Sequence, residues 1–537
     1  MAHVDPGHFP WLTMVTFAPL AGAVLLAFVP ARASRAAKLW ALAITLATFA
    51  LSLGMLAAYH GGQSGFQLVD RVAWVRSLNF QYILGVDGIS LFMVLLTTFL
   101  MPAAVLVSWN VERQVKYYMI AFLVLETACL GCFLALDLLL FFLFFEALLF
   151  PMYLIIGGWG SERRVYAAVK FFLFTMSGSA FLFVGILFLY FRAGAQLGHT
   201  TFDLTQLQRL SLPAVTARWL FLAFFVAFAV KVPLFPLHTW LPDAHTEAPT
   251  AGSVILAAVL LKIGAYGLIR FNLSLFPEAS TYFKDFVSIL ALIGIVYGAV
   301  VALIQVDLKR LVAYSSVSHL GFVVLGVFAF TRQAMSGSVL QMVNHGLSTG
   351  ALFLLVGMLY DRIHTRDLGK MGGLAPVIPV YSGFLLFVAL SSLGLPGLNG
   401  FVGEFLIILG TFIANKAFAV IAVTGVVLAA IYLLWAYQRA MQVGPAREEH
   451  LGLLDLSFRE KAILAPIAAA IILIGVFPKP LLERIEPASA KAVRCVQIGS
   501  EHFNPGILQA TRLPLTPTGC PSRVTPAGGA LSSVGGP

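Results

Sequence analysis

The feature that most limits what this chain can fold into is its series of apolar windows, each about 20 residues long. We count about fourteen of them between residues 9 and 477, each long enough to cross the hydrocarbon core as a helix. Within lipid a backbone has to satisfy its own N–H and C=O groups, so such windows fold as helices. Composition agrees: 60% of residues are hydrophobic and only 11% charged, where soluble domains carry about a quarter. The expected fold is therefore an all-α polytopic membrane protein. Two windows, 217–245 and 376–414, are too long and too rich in Pro and Gly to be single straight helices.

The opening MAHVDPGHFP lacks the basic stretch of a cleavable signal, so the first span is expected to remain as an anchor. Loops after odd-numbered spans hold about 17 Lys/Arg and those after even-numbered spans about 9, which places the odd loops in the cytoplasm and both termini on the opposite side. The net charge of +10 then reads as topology, and no nucleic-acid partner is expected. Four cysteines make no disulfide framework. Cys129 and Cys132, in a CLGC inside the fourth span, fit helix–helix packing better than a redox pair. Nothing in the sequence pairs Cys495 with Cys520. The charged segment 439–459 suits an amphipathic surface helix, and hydrophobicity collapses beyond about residue 490 into a tail expected to be disordered.

The two over-long windows break at Pro233/Pro236 and at GLPGLNG, 394–400, which contains Pro396 and Gly400. A matched pair of interrupted helices points to an ion path at a repeat interface. The spacing of about 160 residues suggests two inverted five-helix units. The expected organisation is 1–116 as three N-terminal helices, 117–271 and 272–440 as the repeats, 441–490 as a surface segment and last span, and 491–537 as the tail.

Seven ionisable side chains fall inside predicted spans: Glu126, Glu146, Lys231, Lys262, His319, His345 and Glu404. A charge at the bilayer centre costs about 2.5–3.5 kcal/mol on insertion scales, so such residues face protein or water and often mark a proton route. One such residue is readily explained as a helix-to-helix hydrogen bond; seven together are not. In AFAVKVPLFPLHTWLPDAH, 227–245, Pro233 cannot donate to the carbonyl of Ala229 and Pro236 leaves that of Val232 open. The first half-helix should then end near Lys231 with unsatisfied carbonyls facing the ammonium. Glu146, in LFFEALLFPMY, is the best carboxylate partner for it. Glu404 lies about one turn into the half-helix after the second break, whose positive end favours a carboxylate. Lys262 and the two histidines could relay protons between these points. His238, Asp243, His245 and Glu247 cluster past the first break, but their spacing fits no common zinc pattern. A surface turn with satisfied hydrogen bonds is expected there. Walker, dinucleotide-binding, haem and iron–sulfur signatures are missing from the sequence, so no cofactor is expected in this chain.

At these residues the chain resembles a known family. KVPLFPLHTWLPDAHTEAPTAGSVILAAVLLKIGAYGLIRF (231–271) is similar to the signature of the antiporter-like membrane subunits of respiratory complex I and their Mrp-antiporter relatives. LGVDGISLFMVLLTTFL (84–100), FFEALLFPMYLIIGGWG (144–160), KRLVAYSSVSHLGFV (309–323) and NHGLSTGALFLLVGMLYDRIHTRDLGKMGGL (344–374) resemble it as well, so the likeness covers most of residues 80–440. Glu404 in GLPGLNGFVGEF (394–405) resembles the branch with a glutamate at this point, where sister chains L and N and the Mrp subunits carry lysine. No long amphipathic helix is expected after the last span, which also argues against L.

The resemblance implies a fourteen-helix fold with inverted repeats inside a multisubunit complex in a bacterial-type inner membrane, in contact with lipid and with chains L and N. It implies proton translocation driven by NADH oxidation elsewhere, with NADH, FMN, iron–sulfur clusters and quinone bound by partner subunits. By matched position Glu146 and Lys231 become the input pair, Lys262 the central relay, His319 and His345 the connecting axis and Glu404 the exit. Glu126, CLGC and the tail lie outside that signature. The competing readings are an Mrp-type cation/proton antiporter subunit, a membrane subunit of a related hydrogenase complex, and a non-transporting helical scaffold.

Overall fold

The computed structural model describes residues 9–500 and Cys520; the remainder of the expected tail lies outside the described residues. The first two helices, α1 (Trp11–Ala27) and α2 (Ser34–Ala58), pack on each other and lead into an antiparallel hairpin, β1 (Gln67–Val75) and β2 (Phe80–Val86). Hydropathy gives no sign of this hairpin, which lies between two apolar windows. The alternation in QLVDRVAWV suits a half-exposed strand, and Asn79 takes the left-handed turn position between the strands.

The first half of the bundle follows. It consists of α3 (Ser90–Val107), α4 (Val115–Leu134), α5 (Leu138–Ala147), α6 (Leu149–Trp159), the 34-residue α7 (Arg164–Leu197) and the short α8 (Leu204–Leu207). Then α9 (Ala214–Lys231) stops at the first predicted break and α10 (Trp240–Glu247) resumes beyond it. The helix after it is irregular: α11 (Thr250–Ile255) and α12 (Leu261–Gly267) are joined by a π turn, Leu256–Leu260, and a second π turn, Leu268–Leu273, follows. Its residues 251–273 are all buried inside the protein, so this helix is wrapped by others on all sides.

The second half runs through α13 (Pro277–Tyr282), α14 (Lys284–Leu303), α15 (Leu308–Phe328) and α16 (Arg332–Ile363). The second predicted break separates α17 (Pro379–Ser392) from α18 (Asn399–Ala414), after which come α19 (Lys416–Tyr437), α20 (Phe458–Val476) and α21 (Lys479–Ile498). Among the described residues, 11 helices are long and apolar enough to cross a membrane, or up to 12 if α20 and α21, bent by 70°, count as one; α1, α17 and α18 are shorter apolar helices.

Three C-terminal expectations are corrected. Segment 439–459 holds a π turn, Gln438–Gln442, a 3₁₀ turn, Glu448–His450, and the first residues of α20, because Gly444 at φ +73° and Pro445 interrupt it. The amphipathic helix is α21, whose last residues, 491–498, continue as helix where disorder was expected. Its buried side includes Ile485, Ala488, Val493 and Val496, and Gln497 donates to the carbonyl of Phe330 at 2.9 Å. Cys495 is disulfide-bonded to Cys520 across 25 residues, a pairing decided by tertiary approach, which spacing does not reveal. Cys129 and Cys132 are free and buried. Gly131 between them lies against the Phe144 ring, where an added Cβ would come within 2.4 Å, so α4 and α5 touch closely here.

Candidate functional site

Both breaks hold buried ionisable groups in place. At the first, one of the two carbonyls expected to stay open, that of Ala229, is satisfied. The carbonyl of Ala229 accepts from Leu234 N at 2.9 Å, that of Phe228 from Val232 N at 2.8 Å, and that of Val230 from the Trp240 indole at 2.9 Å. Proline removes a donor locally, but the chain doubling back over the helix end supplies others. Lys231 is 1% exposed and its Nζ makes no hydrogen bond. It lies over the rings of Phe145 and Phe171, at 5.0 and 5.5 Å from their centroids. Glu146 is near enough to act on it electrostatically but makes no hydrogen bond to it, and Glu146 Oε1 is itself unpartnered. Gly264 of α12 packs directly on Val232 N and Phe228 O, so the end of α9 sits two residues from Lys262 in the facing helix.

From Lys262 onward the ionisable side chains lie close to one another. Its Nζ donates to the carbonyl of Ala257 at 2.6 Å, inside the first π turn, and meets His345 Nδ1 at 2.6 Å. A π turn displaces backbone partners, and such bulges gather at functional sites. The rings of His345 and His319 are 5.8 Å apart, and His319 Nδ1 lies 2.8 Å from Glu404 Oε1. Four of the predicted residues, Lys262, His345, His319 and Glu404, therefore form one buried run through α12, α16, α15 and α18. Glu404 lies one turn into α18, as expected, and its Oε2 lies against Gly394, where a Cβ would come within 3.1 Å. Gly394 and Gly397 have φ of +82° and +93°, which Pro396 alone does not supply. Gly400 is pressed on the carbonyl of Ser391, with no room for a side chain.

Other residues of this run were missed. Gln341 Nε2 donates to Glu404 Oε1 at 3.0 Å, Asn344 Nδ2 donates to the carbonyl of Asn399 at 2.7 Å, and Ser391 donates to Asn399 Oδ1 at 2.6 Å. Tyr432 OH meets His319 Nε2 at 3.2 Å. The signal for the first two was present: Gln341, Asn344, His345 and Ser348 repeat at helical spacing in an apolar helix. A lone Tyr432 gave none. The buried pair Asp87–Arg270 was missed as well. Arg270 Nη2 donates to Asp87 Oδ1 at 2.7 Å and its Nε to Tyr266 OH at 3.0 Å, while Tyr266 donates to the carbonyl of Phe133 at 2.8 Å.

The cluster past the first break is not a turn with satisfied bonds. Asp243 pairs with Lys170 at 2.6 Å, and Glu247 Oε2 accepts from Arg163 N at 2.9 Å. His245 stacks on Phe353, 4.6 Å between centroids, with both ring nitrogens unpartnered, and His238 Nδ1 is unpartnered too. Chemically, the site offers two hydrogen-bonded pairs, Lys262–His345 and His319–Glu404, whose histidine rings lie 5.8 Å apart, flanked by the buried Lys231 and the half-buried Glu146.

Comparison with known proteins gives the chain its place. The profile of the family described as NADH:quinone oxidoreductase/Mrp antiporter, TM, matches residues 135–429. The chain is similar to NADH-quinone oxidoreductase subunit M of Rhodobacter capsulatus, 48% identical over 90% of this chain and 96% of that one. It is likewise similar to NADH-ubiquinone oxidoreductase chain 4 of Chondrus crispus, 41% identical over 90% and 98%. Among solved structures it resembles a chain of respiratory complex I from Thermus thermophilus, 32% identical with a TM-score of 0.81 over 90% of this chain and 99% of that one. A chain of the Mrp complex from Dietzia shares the fold alone, at 19% identity and a TM-score of 0.80 over 94% and 100%. The chain belongs to the NADH-quinone oxidoreductase subunit M family, among the antiporter-like membrane subunits of complex I.

Proposed function

We propose that this chain translocates protons as a membrane subunit of an NADH:quinone oxidoreductase, through Glu146, Lys231, Lys262, His345, His319 and Glu404. The observation that carries the reading is the buried run from Lys262 to Glu404, linked by contacts of 2.6 and 2.8 Å and by two histidine rings. The Glu146–Lys231 pair takes protons in, Lys262 and the histidines relay them, and Glu404 releases them. Histidine suits the relay because it titrates near neutrality. The breaks at Pro233/Pro236 and at Gly394–Gly400 give the helices places to move, and a changed distance between Glu146 and Lys231 changes the lysine's proton affinity. One pKa unit corresponds to about 1.4 kcal/mol, and moving one charge through 100 mV takes about 2.3 kcal/mol. Changes of a few units are therefore enough to work against a membrane potential.

The redox chemistry belongs to partner subunits carrying FMN, iron–sulfur clusters and the NADH and quinone sites; this chain supplies the membrane path. Sister chains L and N are its expected neighbours in a bacterial inner membrane, with the Lys/Arg-rich odd loops in the cytoplasm. Glu404, rather than a lysine, favours this reading over an Mrp-type exchanger.

The test is NADH-driven acidification of inverted membrane vesicles carrying Glu146→Gln, at matched assembly of the complex. Loss of acidification together with coupled NADH oxidation supports the reading. Normal acidification with impaired cation/proton exchange overturns it.

A further inference from the structure

The short helix α10 lies between the two halves of the bundle, and both of its ends are tied. At its start the Trp240 indole donates to the carbonyl of Val230, the residue before Lys231, at 2.9 Å. At its far end the last carbonyls have no partners within the helix and need donors from elsewhere. Ser161 N supplies one to Glu247 at 2.9 Å, from the turn between α6 and α7. Two more donors are cations of the second half: Lys309 Nζ reaches the carbonyl of Ala248 at 2.5 Å, and Arg366 Nη1 that of Thr246. Positive charge is favourable at this end of a helix.

The two cations form one assembly. Arg366 Nε lies 3.3 Å from Asp307 Oδ2, and the Arg366 carbonyl accepts from Leu308 N at 2.9 Å. Asp307 caps α15 by accepting from Arg310 N at 2.9 Å, and α15 packs along α10. Lys309 and His319 share α15, about 15 Å apart along its axis. Hydrogen bonds and two helices therefore join the turn of Lys231 to His319, through Trp240, α10, the two cations and α15.

The clamp faces a cavity of about 350 Å³, whose walls include Lys309, Arg366, Glu247, Asp361, Tyr118 and Thr250. A polar cavity of that size has room for water, and water can take the ammonium's place on a carbonyl at small cost. Lys309 is 7% exposed, and among the described residues it donates to the Ala248 carbonyl alone. Withholding an ammonium from water for one carbonyl is expensive, more so than a packing role requires.

We propose that Lys309 and Arg366 are positioning residues: they clamp the end of α10, and through it they set the turn that carries Lys231. This inference rests on the proton-translocation reading above. With the clamp closed, α10 holds Lys231 at a fixed distance from Glu146. With it open, α10 is free to move and that distance changes. A shift of α15 as the His319–Glu404 pair gains or loses a proton reaches the first break by this link.

The experiment uses the assembled complex in liposomes, reading hydrogen exchange across residues 240–248 and protons translocated per NADH oxidised. In Lys309→Met, exchange there should quicken by about tenfold or more, the loss expected for a hydrogen bond from a charged donor. Protons per NADH should fall while oxidation continues. Lys309→Arg, which can donate to the same carbonyl, should restore both, and Arg310→Met, exposed on the same turn, should change neither. A merely structural lysine would slow oxidation and acidification together and leave their ratio unmoved. That result overturns the proposal, as does unchanged exchange in Lys309→Met or no rescue by arginine. Should Lys309→Met not assemble, Arg366→Met decides: quicker exchange with a lower ratio supports the clamp, and unchanged values remove it. Glu146→Gln is run alongside. If it acidifies normally, the translocation reading falls and this inference with it; if it alone stops acidification, only this inference falls.

Discussion

The crossing of α9 and α12 gives the sharpest test of how the first break positions its lysine. Gly264 has no room for a methyl group: a Cβ there would lie 2.7 Å from Val232 N and Val232 Cγ2 and 2.8 Å from Phe228 O. Ordinary contact begins near 3.4 Å, so Gly264→Ala requires the two helices to part by about 0.7 Å. The obstructing backbone atoms are the two ends of one hydrogen bond, Val232 N to Phe228 O at 2.8 Å. That bond closes the turn carrying Lys231, so the strain falls on the lysine's own support. Overpacking of this kind costs about 1–3 kcal/mol. A displacement approaching 1 Å at a reacting group can slow its step by up to about 100-fold.

The expected result is a complex that assembles, melts earlier in detergent and acidifies vesicles at least several-fold more slowly. Two other glycines separate this from general damage. At Gly267 the obstacle is the Phe228 ring, which can turn, so Gly267→Ala should lower stability more than pumping. Gly383 has nothing within 4 Å, so Gly383→Ala should change neither. Unaltered pumping in Gly264→Ala, or equal losses in Gly264→Ala and Gly267→Ala, would refute the claim that the end of α9 sets the position of Lys231.

Two further predictions follow from single contacts. Arg270→Met leaves Asp87 buried without its cation and should destabilise the assembled subunit by about 3–5 kcal/mol; recovery of thermal stability in the Asp87→Asn/Arg270→Met double variant would confirm the pair as the cause, and an unchanged melt in the single variant would dismiss it. Gln341→Leu leaves Glu404 with His319 alone, and loss of a hydrogen bond to a charged group, worth about 1.5–3 kcal/mol, should slow acidification by about tenfold or more at normal assembly; wild-type rates would remove Gln341 from the site.

What could be read from the sequence is what local chemistry decides. Apolar windows become helices because lipid leaves the backbone no other partner. Pro233 and Pro236 end α9 at Lys231, and GLPGLNG separates α17 from α18, because proline lacks a donor and glycine takes φ values that other residues avoid. Ionisable residues stand out in such windows on energetic grounds alone. Hence Glu146, Lys231, Lys262, His319, His345 and Glu404 were all visible before their neighbours were known.

Their pairing was not, because each link joins residues far apart in the chain. Lys262 and His345 are 83 residues apart, His319 and Glu404 are 85, and Tyr432 reaches His319 across 113. Hydropathy carries no information about which helix faces which. The carbonyl of Ala229 looked open because the local rule counts only regular helical donors, whereas Leu234 donates to it from past the helix end and Trp240 reaches that of Val230. The hairpin, α21 and the Cys495–Cys520 bond were not legible for a related reason: outside the apolar windows, structure depends on what the bundle offers as a surface. The sequence alone determined where charge and helix breaks fall; only the tertiary structure decided which groups they meet, because a buried polar atom takes its partner from packing in three dimensions.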